Sequence, residues 1–323
     1  DVIADMITGA VLDPAEMEQE RDVILEEIAM DSDDPTDVAH ENFVAAVLGT
    51  HPLGRPIGGT PAAIRAVARD SVWEHYRRYY RPDELVITAA GGLEHDVVCG
   101  LVVDALHAAG WSLEPEAAPV DRRSTERAQI TGTAGLHVVR RAVEQANIIM
   151  GCPTIVATDG RRYVMSVLNA VLGGGMSSRL FQEIREKRGL VYSTYSFASS
   201  YADAGYFGMY AGCTPSKVRQ VLDLLGVELD KLAEGGISDD ELRKAVGQLC
   251  GGIVLALEDT GSRMSRLGRA ELVSGEYQDI DETLRQIKSV TVQEVQDLAR
   301  ELAAAPRTVT VVGPFEETET FGL

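Results

Sequence analysis

The sequence is short of lysine, of closely spaced cysteines and of long apolar runs, and each shortage excludes a class of protein. The chain has 30 basic residues, of which only five are lysine, and 50 acidic residues, so its formal net charge is −20. This excess of negative charge argues against nucleic acid or a membrane surface as the main partner. The four cysteines lie far apart without a Cys-x-x-Cys pair, a pattern typical of reduced thiols in a cytoplasmic protein. No apolar run approaches the roughly 18 residues of a membrane span.

The length of 323 residues predicts two domains of ordinary size. The stretch 113–133 is rich in Pro, Glu, Arg and Ala and has little periodicity, so we interpret it as a linker. The prediction is therefore a first domain over 1–112 and a second over 134–323. Hydrophobic residues make up 45% of the chain, which is enough for two globular cores.

Periodicity and breaker residues predict the elements of both domains. Helices are predicted over about 14–30, 35–48, 61–68, 70–80, 94–109, 160–172, 178–188, 215–234, 239–256, 280–287 and 291–304. Strands are predicted over 84–92, 137–141, 145–151, 191–201, 204–213 and 307–313. This mixture indicates the α+β class.

An internal repeat links the two halves. A shift of 223 residues sets Ile64 against Ile287 and Val86 against Val309 without a gap. Apolar coincidence between two helix–strand segments would explain part of this match, but agreement in the same order over both segments favours duplication. We therefore expect two homologous domains.

The stretch "ERDVILEEI" lies in the predicted helix 14–30 and belongs to the first half only. Glu20 and Glu27 are seven residues apart, about two turns, so they share one stripe and lie roughly 10 Å apart along the axis. Val23 and Ile24 lie between them. A stripe that mixes acids with branched apolar residues predicts partial burial, and a buried carboxylate needs a cation, a proton or hydrogen-bond donors.

Several stretches together resemble the pitrilysin–insulinase family of zinc peptidases, the inverted zincins, which include mitochondrial processing peptidase. They follow each other in the family's order over essentially the whole chain: "ERDVILEEIAM", "HPLGRPIGGT", "YYRPDELVITAAGG", "EQANIIMGCP", "GGGMSSRLFQEIREKRGLVYS" and "AGYFGMYAG". The likeness is greatest to the small bacterial members. It implies two homologous α/β-sandwich domains of the α+β class that enclose a chamber, with residues 1–112 as the C-terminal portion of a first domain truncated at its N-terminus. It also implies a zinc-dependent endopeptidase that acts on peptides or unfolded protein segments.

The resemblance implies that Glu27 is the third zinc ligand and that Glu20 supports the site. The other two ligands would be the histidines of a His-x-x-Glu-His helix, whose Glu is the general base. No such motif occurs in these 323 residues. One carboxylate cannot hold a catalytic zinc ion, which needs three protein ligands. We therefore expect the chain as it stands not to cleave peptides, and we expect the motif to lie in a segment upstream of Asp1.

The resemblance also assigns a pair in the second domain. "REKRGLVY" places Arg185 and Tyr192 seven residues apart, and the family uses such a pair to hold substrate carbonyls and stabilise an oxyanion. The alternative is structural, with Tyr192 beginning a strand and Arg185 lying at a helix C-terminus. "GGGMSSRLF" lacks the Gly-Lys-Ser/Thr end of a phosphate loop, so it predicts a helix-to-helix turn with Ser177 or Ser178 as N-cap.

Two hypotheses remain open at this point. The first is a cytoplasmic bacterial zinc endopeptidase with peptide substrates and, by resemblance to the small bacterial members, a homodimer. The second is a non-catalytic scaffold or partner subunit of a processing-peptidase-like complex. The presence of Glu27, Arg185 and Tyr192 together favours the enzyme.

Overall fold

A computed structural model of the chain describes residues 1–111, 113, 126–275 and 277–322. The described chain forms two compact units. Unit 1 comprises residues 1–29, 58–123 and 256–277, and unit 2 comprises 30–57, 124–255 and 278–323. Most of the predicted linker, residues 114–125, lies outside the described residues, so the predicted domain boundaries stay a prediction.

Helices dominate the described residues, and all eleven predicted helices are found, within a few residues of the predicted ends. The segment predicted as helix 178–188 contains a π-helical turn, Phe181–Glu186. The α-helices are α1 (Val2–Thr8), α2 (Pro14–Asp33), α3 (Pro35–Leu48), α4 (Pro61–Ala66), α5 (Arg69–Tyr79), α6 (His95–Ala108), α7 (Arg162–Gly173), α8 (Val218–Gly235), α9 (Asp239–Ala256), α10 (Thr260–Arg269), α11 (Ile280–Ser289) and α12 (Val292–Ala304).

The first long helices begin and end where their capping residues predict. The Asp13 carboxylate accepts a hydrogen bond from the Ala15 amide at 2.8 Å, and Pro14 occupies the first position of α2. Asp34 accepts from the amides of Thr36 and Asp37 at the start of α3. These side chains satisfy amides that have no partner within a helix. The helical geometry is therefore interrupted at Asp34, which separates α2 from α3.

Five strands of unit 2 form one mixed sheet in the described residues. The order across the sheet is β1-β5-β2-β4-β3, with β1 parallel to β5 and the other neighbours antiparallel. The last strand of the chain, β5, therefore lies between β1 and β2, the strand β2 is at the centre, and β3 is at one edge. The strands are β1 (Gly135–Arg140), β2 (Ala146–Pro153), β3 (Val191–Ser200), β4 (Gly205–Cys213) and β5 (Thr308–Gly313).

The sheet of unit 2 buries apolar side chains on both faces, which makes unit 2 an α/β sandwich. One face packs on α7, α8 and α12 in a large core whose fully buried members include Leu168, Leu222 and Val295. The other face is covered by α3, where Phe43 has no exposed surface. Gly151 on β2 allows this close packing, since a Cβ there would lie 2.7 Å from the Phe43 ring and 1.9 Å from a backbone oxygen of β4.

Unit 1 has no strand among its described residues, which corrects the prediction of a strand over 84–92. Pro82–Glu84 forms a short 3-10 turn, and the residues after it are extended without a ladder. Val86 and Ile87 are 37% and 50% exposed. A strand exists only with a hydrogen-bonded neighbour, and no described segment of unit 1 provides one. Residues 85–90 are therefore extended, as the alternating pattern indicates, but they do not form a strand.

The internal repeat is matched by helices and not by strands. α5 in unit 1 lies at the position equivalent to α12 in unit 2, as the shift of 223 residues predicts. The strand β5 that follows α12 is matched by the extended residues 85–90. The predicted α+β class is confirmed. Among the described residues, no helix is both long and apolar enough to span a membrane.

Candidate functional site

Helix α2 carries Glu20 and Glu27, and both side chains are exposed. Val23 between them is 46% exposed, and only Ile24 on that stripe is partly buried. The prediction that this stripe buries its acids in part is therefore wrong for Glu20 and Glu27. The two carboxylates make no hydrogen bond or ion pair within the described part of the chain, so their oxygens are available to a ligand.

The one cation of α2 is occupied elsewhere. Arg21 binds the Glu18 carboxylate with Nε at 3.1 Å, and it also donates to the carbonyls of Ile64 and Val67. Its side chain is only 13% exposed. Arg21 therefore anchors α2 to the region of α4 and leaves the charges of Glu20 and Glu27 uncompensated.

Zinc does not fit the residues of this chain alone. The described residues contain no group of three or more His, Cys, Asp or Glu side chains that could hold a metal ion. A catalytic zinc needs three protein ligands, and Glu27 supplies one carboxylate. His51 has partners within the protein: its Nε2 lies 3.3 Å from an Asp203 oxygen, and its Nδ1 accepts a hydrogen bond from the Leu53 amide.

Arg185 lies in the π-helical turn Phe181–Glu186 and is exposed. Its guanidinium lies 4.8 Å from the centre of the Phe181 ring, a distance suited to a cation–π contact. No carboxylate pairs with it within the described residues. Single π turns inside helices occur frequently at functional sites, and here the turn presents an unpaired guanidinium to solvent.

Tyr192 occupies a β-bulge at the start of β3. Val191 pairs with Cys213 and Ser193 pairs with Gly212, so two residues of β3 advance against one residue of β4 and Tyr192 has no partner. The side chain is 58% exposed, and its hydroxyl makes no hydrogen bond with any described residue. Bulges redirect side chains and are over-represented beside active sites. The bulge here turns the Tyr192 phenol away from the core that buries Val191.

A short turn joins the two irregular segments. Gly189 has φ +59°, its amide donates to the Arg185 carbonyl at 2.9 Å, and the Leu190 amide donates to the Ile184 carbonyl at 3.1 Å. Arg185 and Tyr192 thus lie at the two ends of one ordered hairpin-like segment of unit 2, whereas Glu20 and Glu27 lie in unit 1. A guanidinium and a phenol that have no hydrogen-bond partner in the described part of the chain can donate hydrogen bonds to a carbonyl oxygen.

The glycine-rich segment forms the predicted turn with Ser178 at the N-cap position, but without a side-chain hydrogen bond at that cap. α7 ends at Gly173, and helical structure resumes at Arg179. The Ser178 carbonyl accepts the Gln182 amide at 3.0 Å, but the Ser178 hydroxyl is buried and has no partner among the described residues. The side-chain cap is therefore absent. Arg179 fixes the segment instead, through two hydrogen bonds to Glu241 at 2.7 and 3.0 Å.

Sequence reasoning missed Glu183, which holds the turn between Arg185 and Tyr192. Its carboxylate accepts from Lys187 and from Arg188, the latter at 2.8 Å. These hydrogen bonds, that of Arg188 first, lower the pKa of Glu183 to about 2. The spacing of Glu183 and Lys187, four residues apart in a predicted helix, was the available signal.

Comparison with known proteins identifies the family. Residues 66–249 match the family model described as the peptidase M16 inactive domain. An uncharacterized zinc protease of Streptomyces coelicolor is 44% identical over 319 residues, which cover 99% of this chain and 69% of that protein. The chain belongs to the peptidase M16 family, and the resemblance to the pitrilysin–insulinase peptidases is confirmed.

Solved structures agree on the fold. A peptidase M16 inactive domain from Pseudomonas fluorescens matches with a TM-score of 0.81 at 17% identity, over 98% of this chain and 74% of that one. A chain of complex III2 from Candida albicans matches with a TM-score of 0.82 at 17% identity, over 99% and 77%. At this identity the two structures support the fold alone.

Proposed function

We propose that this chain belongs to a zinc-dependent endopeptidase, to which it contributes one metal-binding carboxylate and a carbonyl-binding pair. Glu27 would be the ligand, with Glu20 orienting it from the same stripe of α2. Since one carboxylate does not fit zinc, the remaining ligands and the general base would come from residues other than these 323. The Streptomyces coelicolor relative named as a zinc protease, which is 44% identical, supports the proposal.

The observation that carries the proposal is the state of Arg185 and Tyr192. In the described residues, the neighbouring cations Lys187 and Arg188 are paired with Glu183, and Arg185 is left without a carboxylate. The Tyr192 hydroxyl is exposed and unpaired on a bulge. Two donors kept free in this way suit the oxygen of a substrate peptide bond, on which negative charge develops during hydrolysis.

The chemistry assigned to these two residues is electrostatic. The Tyr192 phenol and the Arg185 guanidinium would donate hydrogen bonds to the substrate carbonyl oxygen, and both bonds strengthen as that oxygen gains charge. A substrate presented in this way is an extended peptide or an unfolded protein segment. Action in the cytoplasm and formation of a homodimer are parts of the same proposal.

The test uses the protein expressed from its native start codon, so that any residues preceding Asp1 are included. Zinc content and cleavage of a quenched fluorogenic peptide are measured for the wild type, Glu27→Gln and Glu26→Gln. Glu26 is the matched control because it is exposed on the same helix, one position off the stripe. We expect Glu27→Gln to lose zinc and activity and Glu26→Gln to keep both.

Two results would contradict the proposal. Full zinc content and activity in Glu27→Gln would show that Glu27 is not a zinc ligand. A wild type that binds no zinc and cleaves no peptide would favour the second hypothesis, a non-catalytic scaffold or partner subunit. The fact that favours this second hypothesis is that the described residues contain no three-ligand group.

A further inference from the structure

The turn between Arg185 and Tyr192 concentrates positive charge. Arg185, Lys187 and Arg188 lie within four residues, and in the described residues only Glu183 is paired with cations of this turn. Glu183 takes two of the three cations and leaves Arg185. The carboxylate therefore determines which cation of the turn is available to a ligand.

The same carboxylate ties both sides of the turn together. Glu183 lies inside the π-helical turn and is 23% exposed. Lys187 and Arg188 lie where the chain leaves that turn, and the amide of Lys187 donates to the Gln182 carbonyl at 3.0 Å. Arg188 also donates to the Glu183 carbonyl. The chain then reverses at Gly189 and enters β3 at the residue before Tyr192.

We propose that Glu183 is a positioning residue for Arg185 and Tyr192, acting through Lys187 and Arg188. It fixes the turn that sets the separation of the two donors, and it withdraws two competing cations from the surface beside Arg185. This inference rests on the function proposed above. Charge-assisted hydrogen bonds of this type restrict geometry more than neutral ones do.

A consequence for substrate choice follows from the charge. With Glu183 neutralised, the turn would carry three uncompensated cations. Acidic peptides would then be attracted to Lys187 and Arg188 in poses that do not place a carbonyl at Arg185. Because exposed charges are screened by salt, this attraction should weaken as ionic strength rises.

The experiment compares Glu183→Gln with Glu186→Gln in the protein expressed from its native start codon. Glu186 is the matched control, since it is exposed in the same π turn and has no ion pair among the described residues. Amide hydrogen exchange reports on the Gly189 and Leu190 amides, whose acceptors are known. Peptide cleavage is measured with a neutral and an acidic substrate at low and high salt.

We expect Glu183→Gln to lower kcat about 10- to 100-fold on the neutral peptide, as misplacement of catalytic groups does, with KM changed less than about twofold. Exchange of the Gly189 and Leu190 amides should accelerate about tenfold, as expected for local opening. On the acidic peptide KM should fall at low salt and recover at high salt. Glu186→Gln should reproduce none of these changes.

A triple variant separates the two parts of the inference. In Glu183→Gln with Lys187→Gln and Arg188→Gln, the released cations are gone but the tether stays broken. The low-salt effect on the acidic peptide should then disappear while kcat on the neutral peptide stays low. Wild-type exchange and wild-type kcat in Glu183→Gln would overturn the inference. An inactive wild type would instead overturn the proposed function, and the exchange measurement would still decide whether Glu183 orders the turn.

Discussion

Nε2 of His40 on α3 lies 2.9 Å from the hydroxyl of Tyr195 on β3. The two rings are stacked at 6.2 Å, and Tyr210 stacks on both. The Tyr210 hydroxyl donates to the Asn147 side chain at 2.7 Å. Burial raises the pKa of Tyr195 to about 12, so the phenol stays protonated near neutral pH, and the His40 tautomer sets which of the two groups donates. A polar path thus crosses from α3 into the sheet that carries Tyr192.

Protonation of His40 should weaken the fold. Burial lowers the pKa of His40 below its usual 6.5, against a smaller opposing effect of Asp37. The unfolded chain therefore binds the proton more readily, and stability should fall as the pH drops through 6.5 towards the lower folded pKa. The other groups facing His40 are the Tyr195 and Tyr210 phenols and the Phe197 ring.

Urea denaturation at pH 7.5 and pH 5 checks this on His40→Phe. At pH 7.5 the variant should lose about 1–2 kcal/mol, because the Tyr195 hydroxyl loses its hydrogen-bond partner. Its loss of stability between the two pH values should be smaller than that of the wild type. His107→Phe on exposed α6 is the control, and an identical pH dependence in the wild type and His40→Phe would contradict the prediction.

The ion pair of Arg179 with Glu241 should hold the glycine-rich segment. Arg179→Lys removes the second hydrogen bond to the carboxylate and the bond to the Gly236 carbonyl. We expect a loss of about 1–2 kcal/mol, less than for a dry pair because the Glu241 side chain is 30% exposed. The measurement is the urea midpoint at pH 7.

The stability contributed by the Arg179–Glu241 pair depends on pH through the carboxylate of Glu241. Hydrogen bonds from Arg179, and then from Ser238, lower the pKa of Glu241 from 4.5 to about 2. The stabilisation is present above pH 4.5 and is lost as the pH falls towards 2. The difference in unfolding free energy between the wild type and Arg179→Lys should therefore shrink between pH 6 and pH 3. A constant difference would show that the pair does not act through charge.

The packing of α3 on the sheet should depend on Phe43. The side chain is fully buried, with Phe197 and Tyr206 in edge contact at 6.1 and 6.2 Å. Phe43→Ala should cost about 3–5 kcal/mol, since it removes apolar area and leaves a cavity. Val227→Ala, at a position 42% exposed on α8, should change stability by less than about 0.5 kcal/mol. Equal losses in urea denaturation would refute this placement of the core.

The turn before Tyr192 should require the backbone freedom of Gly189. Its φ is +59°, and a Cβ would meet no atom within 4 Å, so any cost of substitution comes from the backbone alone. Gly189→Val should lose about 1–2 kcal/mol, whereas Gly189→Asn should lose less because Asn tolerates this conformation. Thermal unfolding of the two variants provides the comparison, and equal melting temperatures would argue against a strained turn.

The proposed pair makes its own kinetic prediction. Tyr192→Phe should lower the rate of peptide cleavage about 100- to 1000-fold, the usual cost of losing one oxyanion donor. Stability and zinc content should stay unchanged, because the hydroxyl is exposed and has no partner in the described chain. Tyr201→Phe, at a residue 38% exposed beyond the other end of β3, is the control. Loss of activity accompanied by unfolding would contradict the assigned role.

Periodicity predicted the helices well because each has its own local signals. Asp13 and Asp34 cap α2 and α3 where expected. The strand predicted over 84–92 failed for a nonlocal reason, since a strand is completed by a neighbour that its own sequence does not specify. The predicted burial of Glu20 and Glu27 was wrong for a related reason. The sequence of α2 does not specify which other segment packs on its mixed stripe.

The sequence indicated which residues belong to the candidate site, but it did not indicate their backbone conformation. The spacing of Arg185 and Tyr192 was readable, but a π turn and a bulge differ from regular structure by one residue each, and side-chain patterns do not reveal them. Glu183 was readable as a helical partner of Lys187. Its link to Arg188, five residues away, depends on the π geometry, so its place beside the two donors needed coordinates.

The bulge at Tyr192 also limits how this gene can change. Removing one residue between Arg185 and Val191 would slide β3 by one step and send the phenol to the opposite side of the sheet, where Val191 now packs. Point substitutions in the loop leave the register of β3 unchanged, whereas an insertion or deletion of one residue would turn the solvent-facing Tyr192 hydroxyl towards the core. The number of residues between Arg185 and Val191 should therefore be a better guide than their identity when deciding which relatives present the equivalent tyrosine to solvent.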